Sequence, residues 1–206
     1  MKEEHYKKLK LYNELKLYSP KELQSITNLC CDTIVNKYLM SVFKEKLHYS
    51  MQNLRLDQLF VDFYEKYRNY NFYDDILFSE CNIHLDLSKD AVIAFPWNKS
   101  RLIPLFNYFD NEEAIWQEDS TNHDVIFIKP LNIFFVNCGN HSISIGKYFR
   151  KGIVHCHQMV DYSKIIKNFD FDGKYFRDIY NHKINEPYLS EFGDLFIIGK
   201  ILLENT

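Results

Sequence analysis

The chain has 206 residues, of which 46% are hydrophobic and 26% charged, a balance typical of globular rather than disordered proteins. Its net charge of −3 excludes a general nucleic-acid coat, and we expect no binding to duplex nucleic acid. No stretch approaches the ~20 apolar residues of a membrane span, and the first residues lack a signal-peptide core. Five cysteines without a C-x-x-C pair indicate reduced thiols. We therefore expect a cytoplasmic protein that does not bind a membrane.

Residues 1–85 are predicted to form a helical N-terminal region. Ser19-Pro20-Lys21-Glu22 has the pattern of a capping box with proline at the first helical position, so a helix should run from Pro20 to about Leu47. Residues 2–17 fit a short amphipathic helix. A second longer helix is indicated by apolar residues that share one face, Leu56, Phe60, Phe63 and Tyr67.

Residues 86–206 show short apolar runs that alternate with helical stretches, which predicts an α/β core. Two hairpins are indicated, one at Lys129-Pro130-Leu131-Asn132 and one at Asp172-Gly173 between runs at 165–171 and 174–179. The predicted strands are 91–95, 125–128, 133–136 and 153–160, and the predicted helices are 100–109, 140–150 and 189–203. This order favours an α+β fold, with the N-terminal helical segment packed on a mixed-sheet core, over a fully wound α/β sheet.

A strand and a helix are joined at residues 133–149 by the turn Gly139-Asn140-His141-Ser142. The first backbone N–H groups of a helix have no intrahelical partner, and the helix dipole adds positive potential there. Such a turn is a ready place for a phosphate or another anion. The sequence therefore predicts where a ligand would lie, without identifying it.

The order of strand, Gly139-Asn140-His141-Ser142 turn, helix, Gly152 and strand ending at Asp161 resembles the nucleotide-binding core of the ParB/sulfiredoxin-like superfamily. In that superfamily a Gly-x-His-Arg-type turn binds nucleotide phosphates. Here Ser142 stands in place of the arginine, so the resemblance implies anion binding rather than phosphoryl transfer. It covers residues 132–161. The whole chain is also similar to an uncharacterised bacterial domain family with the same Gly-Asn-His-Ser signature.

A second candidate loop, Trp97-Asn98-Lys99-Ser100-Arg101, also joins a predicted strand to a predicted helix. The helix dipole disfavours Lys99 and Arg101 in a first turn unless an anion is held nearby. Ser100 would cap this helix, and Trp97 would stack on a base. If the two preceding strands are neighbours, both loops open on one sheet edge and Arg101 replaces the missing motif arginine. The alternative is a surface loop with a half-buried tryptophan and solvated cations.

Two further patterns suggest chemistry, but each has a structural explanation that we favour. His155 and His157 point to one face of a strand, and with His141 they would offer three nitrogens to zinc. The alternative is an edge strand whose face carries polar histidines, and we expect no metal. Cys138 is a candidate nucleophile with His141 as its base, but a thiol that ends a buried strand is usually inert packing. We assign no catalytic residue.

The candidate ligand-binding residues are Trp97, Lys99, Ser100, Arg101, Gly139, Asn140, His141 and Ser142. We expect non-catalytic binding of a nucleotide or nucleotide-derived signalling molecule, without a cofactor. The abundance of Lys, Asn, Ile, Tyr and Phe resembles low-GC bacteria and their mobile elements, which suggests a phage or mobile-element accessory protein that sequesters a host-defence signal.

Two other functions stay open at this point. One is a ParB/sulfiredoxin-like enzyme, either a nuclease, a nucleotide hydrolase or a phosphotransferase, that uses His141 with Arg101 or a metal. The other is a protein-interaction module that acts through the N-terminal helices. A protein partner or a homo-oligomer would serve the second function.

Overall fold

A mixed five-stranded sheet organises the computed structural model, which describes residues 10–44, 54–61 and 76–205. The strands are β1 (Leu77–Asp86), β2 (Val92–Ile93), β3 (Asp124–Lys129), β4 (Ile133–Cys138) and β5 (Ile153–Asp161). Their order across the sheet is β1-β5-β3-β4-β2. The β1–β5 and β3–β4 pairs are antiparallel, and the β3–β5 and β2–β4 pairs are parallel.

Helices distributed along the chain pack against this sheet and against one another. They are α1 (Pro20–Phe43), α2 (Lys99–Phe109), α3 (Asn140–Phe149), α4 (Ser163–Asn168) and α5 (Ser190–Glu204). Residues 10–15 are also helical, Leu56–Gln58 form one 3₁₀ turn, and β6 (Asp170–Phe171) pairs with β7 (Phe176–Arg177) in a small hairpin. The predicted α+β class with an N-terminal helical segment is confirmed. Within the described ranges, no helix is both long enough and apolar enough to span a bilayer.

Helix α1 starts where its capping box predicts. Ser19 Oγ accepts a hydrogen bond from the Glu22 amide, and the Glu22 carboxylate accepts one from the Ser19 amide at 2.7 Å. The buried face of α1 packs against α5 and β2, and its side chains belong to the same hydrophobic cluster as the sheet. The helix ends at Phe43, and the residues expected to extend it to Leu47 lie outside the described ranges.

Strand β1 corrects the prediction of a helical region as far as residue 85. Residues 77–86 form an edge strand that pairs with β5. Its inward side chains fall at every second position, with Cys81 and Ile83 partly buried and Leu85 fully buried. This period of two is the strand signal. Of the second predicted helix, the part at Leu56 forms a 3₁₀ turn, and the part with Phe63 and Tyr67 lies outside the described residues. Residues 2–9 of the predicted N-terminal helix also lie outside them.

The strand predicted over residues 165–171 is replaced by helix α4 as far as Asn168, and a two-residue strand follows at Asp170–Phe171. Ile165 and Ile166 are both fully buried, and α4 packs on α5. Two adjacent buried residues suit a helix lying in a groove better than an alternating strand. The Asp172-Gly173 hairpin does form, but its strands are only two residues long. Asp172 Oδ1 accepts from the amides of Lys174 and Tyr175 and shapes the turn.

The strand directions decide which loops lie together. Because β2 and β4 are parallel neighbours, the chain leaves both of them at the same edge of the sheet. Strand β5 runs opposite to β4, so Gly152 lies at that edge while Asp161 lies at the far one. There Asp161 Oδ1 accepts from the Ser163 amide at 2.7 Å. Asp161, which the superfamily resemblance placed in the nucleotide core, is therefore remote from the Gly139 turn.

The capping box yields a prediction about stability. Changing Ser19 to Ala removes an N-cap acceptor and should lower the free energy of unfolding by about 1 kcal/mol. Ser25→Ala is the matched control, because the Ser25 hydroxyl bonds only to the Lys21 carbonyl within the same helix. Chemical denaturation of the three proteins checks this, and equal losses in both variants would contradict it.

Candidate functional site

The two loops that the sequence singled out are in direct contact, and we call residues 95–98 and 139–142 the loop pair. The Phe95 amide donates to Asn140 Oδ1 at 2.7 Å, and the Asn98 amide donates to His141 Nε2 at 3.1 Å. The Trp97 ring meets the His141 ring edge-on, with centroids 4.6 Å apart. The structure therefore brings together the loops that were predicted to share one sheet edge.

His141 is neutral, and the lone pair of its unprotonated nitrogen accepts a hydrogen bond. A backbone amide can only donate, so Nε2 is the acceptor and the ring proton must lie on Nδ1. Burial, with a smaller effect of the Arg101 guanidinium, lowers the pKa of His141 from 6.5 to about 4. This imidazole holds the neighbouring loop and is not poised to take a proton from a substrate.

The polar side chains of the Gly139–Ser142 turn thus bind a neighbouring loop of the same protein. The side-chain oxygen of Asn140 and the Nε2 atom of His141 were both predicted to contact a ligand, yet both accept hydrogen bonds from the loop of Phe95 and Asn98. Helix α3 starts after Gly139 without a side-chain cap on its first turn.

Ser142 is held by a histidine that sequence analysis did not select. His123 Nδ1 accepts from the Asp119 amide at 2.9 Å, so the proton of this ring lies on Nε2, 2.6 Å from Ser142 Oγ. The serine hydroxyl in turn donates to the Gly139 carbonyl at 3.1 Å. Because His123 donates to Ser142 instead of accepting from it, this pair lacks the polarity of a serine nucleophile and its base.

Trp116 also supports the turn and explains why glycine occupies positions 146 and 152. Its ring stacks on His123 with centroids 4.9 Å apart, and its Nε1 donates to the Ser142 carbonyl at 3.0 Å. A Cβ atom on Gly152 would lie 2.3 Å from the Trp116 ring, and one on Gly146 would lie 2.6 Å from Nε1. A Cβ atom on Gly139, where φ is +84°, would lie 2.5 Å from the His123 ring. No local pattern links Trp116 to a turn 23 positions away.

Two of the predicted ligand residues remain available to a partner. Arg101 is exposed, and its guanidinium forms no hydrogen bond or ion pair with the described residues. The Trp97 side chain is 45% exposed. Lys99 Nζ lies 3.4 Å from the Phe43 carbonyl at the end of α1. The expected cap at Ser100 is wrong, because Asn98 accepts from the Arg101 amide and caps α2, which leaves Ser100 inside the helix.

The histidines of β5 lie away from the loop pair and have other partners. The amide of His155 and its Nδ1 contact the two carboxylate oxygens of Glu118 at 2.8 and 2.5 Å. His84 of β1 packs on His155, with ring centroids 4.4 Å apart. Strand β5 lies between β1 and β3, so the expectation of an edge strand is wrong. Among the residues that the structure describes, no three His, Cys, Asp or Glu side chains are grouped to hold a metal.

Cysteines follow the burial pattern only in part. Cys156 is fully buried on β5, as expected for a core thiol. Cys138 is exposed at the end of β4, so the interpretation of this thiol as buried packing is wrong. His141, its suggested base, is already engaged by the Asn98 amide.

The neutral state of His141 has a consequence for stability at low pH. Since its pKa is lower in the folded protein than in the unfolded chain, unfolding takes up a proton between pH 6.5 and about 4. The free energy of unfolding should therefore fall as pH drops through this window, by up to about 3 kcal/mol from this group. His141→Gln keeps an acceptor and should flatten the fall, whereas His157→Gln, at an exposed position of β5, should not. Parallel pH profiles for wild type and His141→Gln, measured by urea denaturation, would count against this account.

The hydrogen bond from the Phe95 amide to Asn140 Oδ1 gives another prediction about stability. Asn140→Ala leaves that buried N–H without its acceptor and should cost roughly 1–3 kcal/mol of stability. Asn137→Ala removes a side chain that is exposed and bonded to Asp124, so its cost should stay within about 0.5 kcal/mol. Thermal and chemical denaturation compare the two, and similar losses would mean that the Asn140 bond contributes nothing specific.

Comparison with known proteins identifies a family but no activity. Neither the curated proteins nor the solved structures contain a match to this chain. One family model matches, and it covers residues 2–206. The chain belongs to the family of unknown function DUF6710.

Proposed function

We propose that this protein binds a nucleotide or a nucleotide-derived signalling molecule at the loop pair, without turning it over. The observation that supports this most directly is the position of Arg101. Its guanidinium, which has no hydrogen-bond or ion-pair partner among the described residues, lies close enough to the loop pair to lower the pKa of His141, and the His141 ring contacts the half-exposed ring of Trp97. A fork of N–H donors and an aromatic face that both lie near His141 suit a phosphate joined to a base.

The resemblance to the ParB/sulfiredoxin-like superfamily enters as part of this proposal. Its motif arginine is absent at Ser142, and Arg101 would supply the same charge from the neighbouring loop. The first-turn amides of α3, which have no side-chain cap, would add donors for the phosphate oxygens. Trp97 and Arg101 would contact the ligand with their side chains, and the other six candidate residues would form the backbone and the surroundings of the site.

The protonation states of the histidines near the loop pair favour binding without turnover. A general base needs a lone pair directed at the substrate, and His141 Nε2 is already bonded to the Asn98 amide. His123 holds its proton toward Ser142, so it does not activate that hydroxyl. Binding alone is therefore the role that these groups favour. We infer that the protein acts in the cytoplasm by sequestering its ligand, as an accessory protein of a phage or mobile element would sequester a host-defence signal.

A thermal-shift panel tests the proposal. Adenine and guanine mononucleotides, cyclic mononucleotides and cyclic dinucleotides would be added to the wild-type protein, to Arg101→Ala and to Lys129→Ala. A ligand at 100 times its dissociation constant stabilises by about 2.7 kcal/mol, which is a clear rise in Tm. We expect this rise for wild type and for Lys129→Ala, whose cation lies at the opposite sheet edge, and its loss in Arg101→Ala.

Two results would contradict the proposal. One is the absence of any shift across the panel. The other is chemical conversion of a bound nucleotide, detected by chromatography, that disappears in His141→Gln, since this would make the protein an enzyme.

A further inference from the structure

Helix α3 also borders a cavity of about 360 Å³ that lies between α1 and α3, and Ser88 and Lys89 line it as well. This volume falls within the range of roughly 300–1,000 Å³ found for small-molecule sites. Val35 and Leu39 give it an apolar wall. The α3 residues that line it, Ser144, Lys147 and Tyr148, lie two to six positions after the loop pair.

The Ser144 hydroxyl is a buried polar group without a partner. The residue is 1% exposed and lines the cavity, and its Oγ forms no hydrogen bond within the described structure. A buried hydroxyl left in this state costs free energy, which a ligand that bonds to it would recover. Its neighbour Ser142, two positions earlier, bonds to both His123 and Gly139.

Cations surround the same cavity and outnumber the acidic groups. Lys147 is nearly buried and is fixed by the Asp90 carbonyl at 2.7 Å and by the Asp32 carboxylate at 3.3 Å. Lys89 pairs with Asp86 at 3.1 Å. Arg150, in the left-handed conformation that ends α3, is exposed and has no side-chain partner among the described residues.

We propose that this cavity binds a small organic oxyanion, a phosphate monoester or a carboxylate. Arg150 forks onto the oxyanion, Lys147 adds a fixed positive charge, and the Ser144 hydroxyl bonds to a polar atom at the floor. The organic part of the ligand packs on Val35 and Leu39. Asp32 neutralises part of the charge of Lys147, which leaves Arg150 as the main determinant of affinity.

Isothermal titration calorimetry with three probes tests the proposal. Ribose 5-phosphate represents the phosphate monoesters, citrate represents the carboxylates, and ribose is the neutral control. We expect binding of ribose 5-phosphate or citrate, with the stronger one identifying the anion class, and no binding of ribose. Arg150→Ala should weaken this binding at least about tenfold, because a charge-assisted bidentate contact is lost. Lys129→Ala should retain it.

Ser144→Ala separates a ligand-binding role of the hydroxyl from a structural one. Removing an unpartnered buried hydroxyl should raise the Tm of the ligand-free protein while weakening oxyanion binding several-fold. Ser142→Ala, in the same helix, removes a bonded hydroxyl and should lower the Tm. A lower Tm for Ser144→Ala with unchanged binding would show that the hydroxyl is structural and would overturn its proposed role.

The cavity and the loop pair fail independently. If neither oxyanion binds, or if ribose binds equally well, the cavity proposal is wrong and the proposal for the loop pair stands. If binding is lost in Arg101→Ala but kept in Arg150→Ala, the oxyanion lies at the loop pair. That result would overturn the cavity proposal and support the loop-pair site.

Discussion

The interlock between two loops at one sheet edge is the constraint on which the rest of the structure depends. Parallel pairing of β2 with β4 directs both loops to that edge, and two side chains of the second loop then bond to backbone amides of the first. Buried amides that no strand or helix satisfies would be costly, so the acceptors Asn140 and His141 fix the path of the chain before α2. These two hydrogen bonds therefore also position the exposed Trp97 and Arg101.

Helix α3 borders both candidate ligand sites, the loop pair and the cavity. Its first turn belongs to the loop pair, its glycine at 146 makes room for Trp116, and Ser144, Lys147 and the C-cap residue Arg150 line the cavity. Trp116 and His123 pack beneath the first turn and hold it in place. A ligand at either end of this short helix would therefore bind to a scaffold that is already fixed.

Much of this arrangement follows from local patterns. The Ser19–Glu22 capping box, the β3–β4 hairpin and the strand–turn–helix at Gly139 all form as predicted, because caps, turns and apolar periodicity depend on neighbouring residues. Strand β1 was missed although its apolar residues alternate, since a polar edge strand has a weak signal. The expected cap at Ser100 was wrong by two positions, because Asn98 serves both as the cap and as the partner of His141.

By itself, the sequence determined the α+β class, the start of α1 and the two loops that carry polar and basic residues between strands and helices. Only the tertiary structure decided what those residues contact. Whether Asn140 and His141 face a ligand or a neighbouring loop depends on strand order, which links positions more than 40 residues apart. The same is true of the support from Trp116 and His123, and of the cavity between α1 and α3, whose walls are distant in sequence. Periodicity reports which face of an element is buried, but only packing selects the partner that buries it.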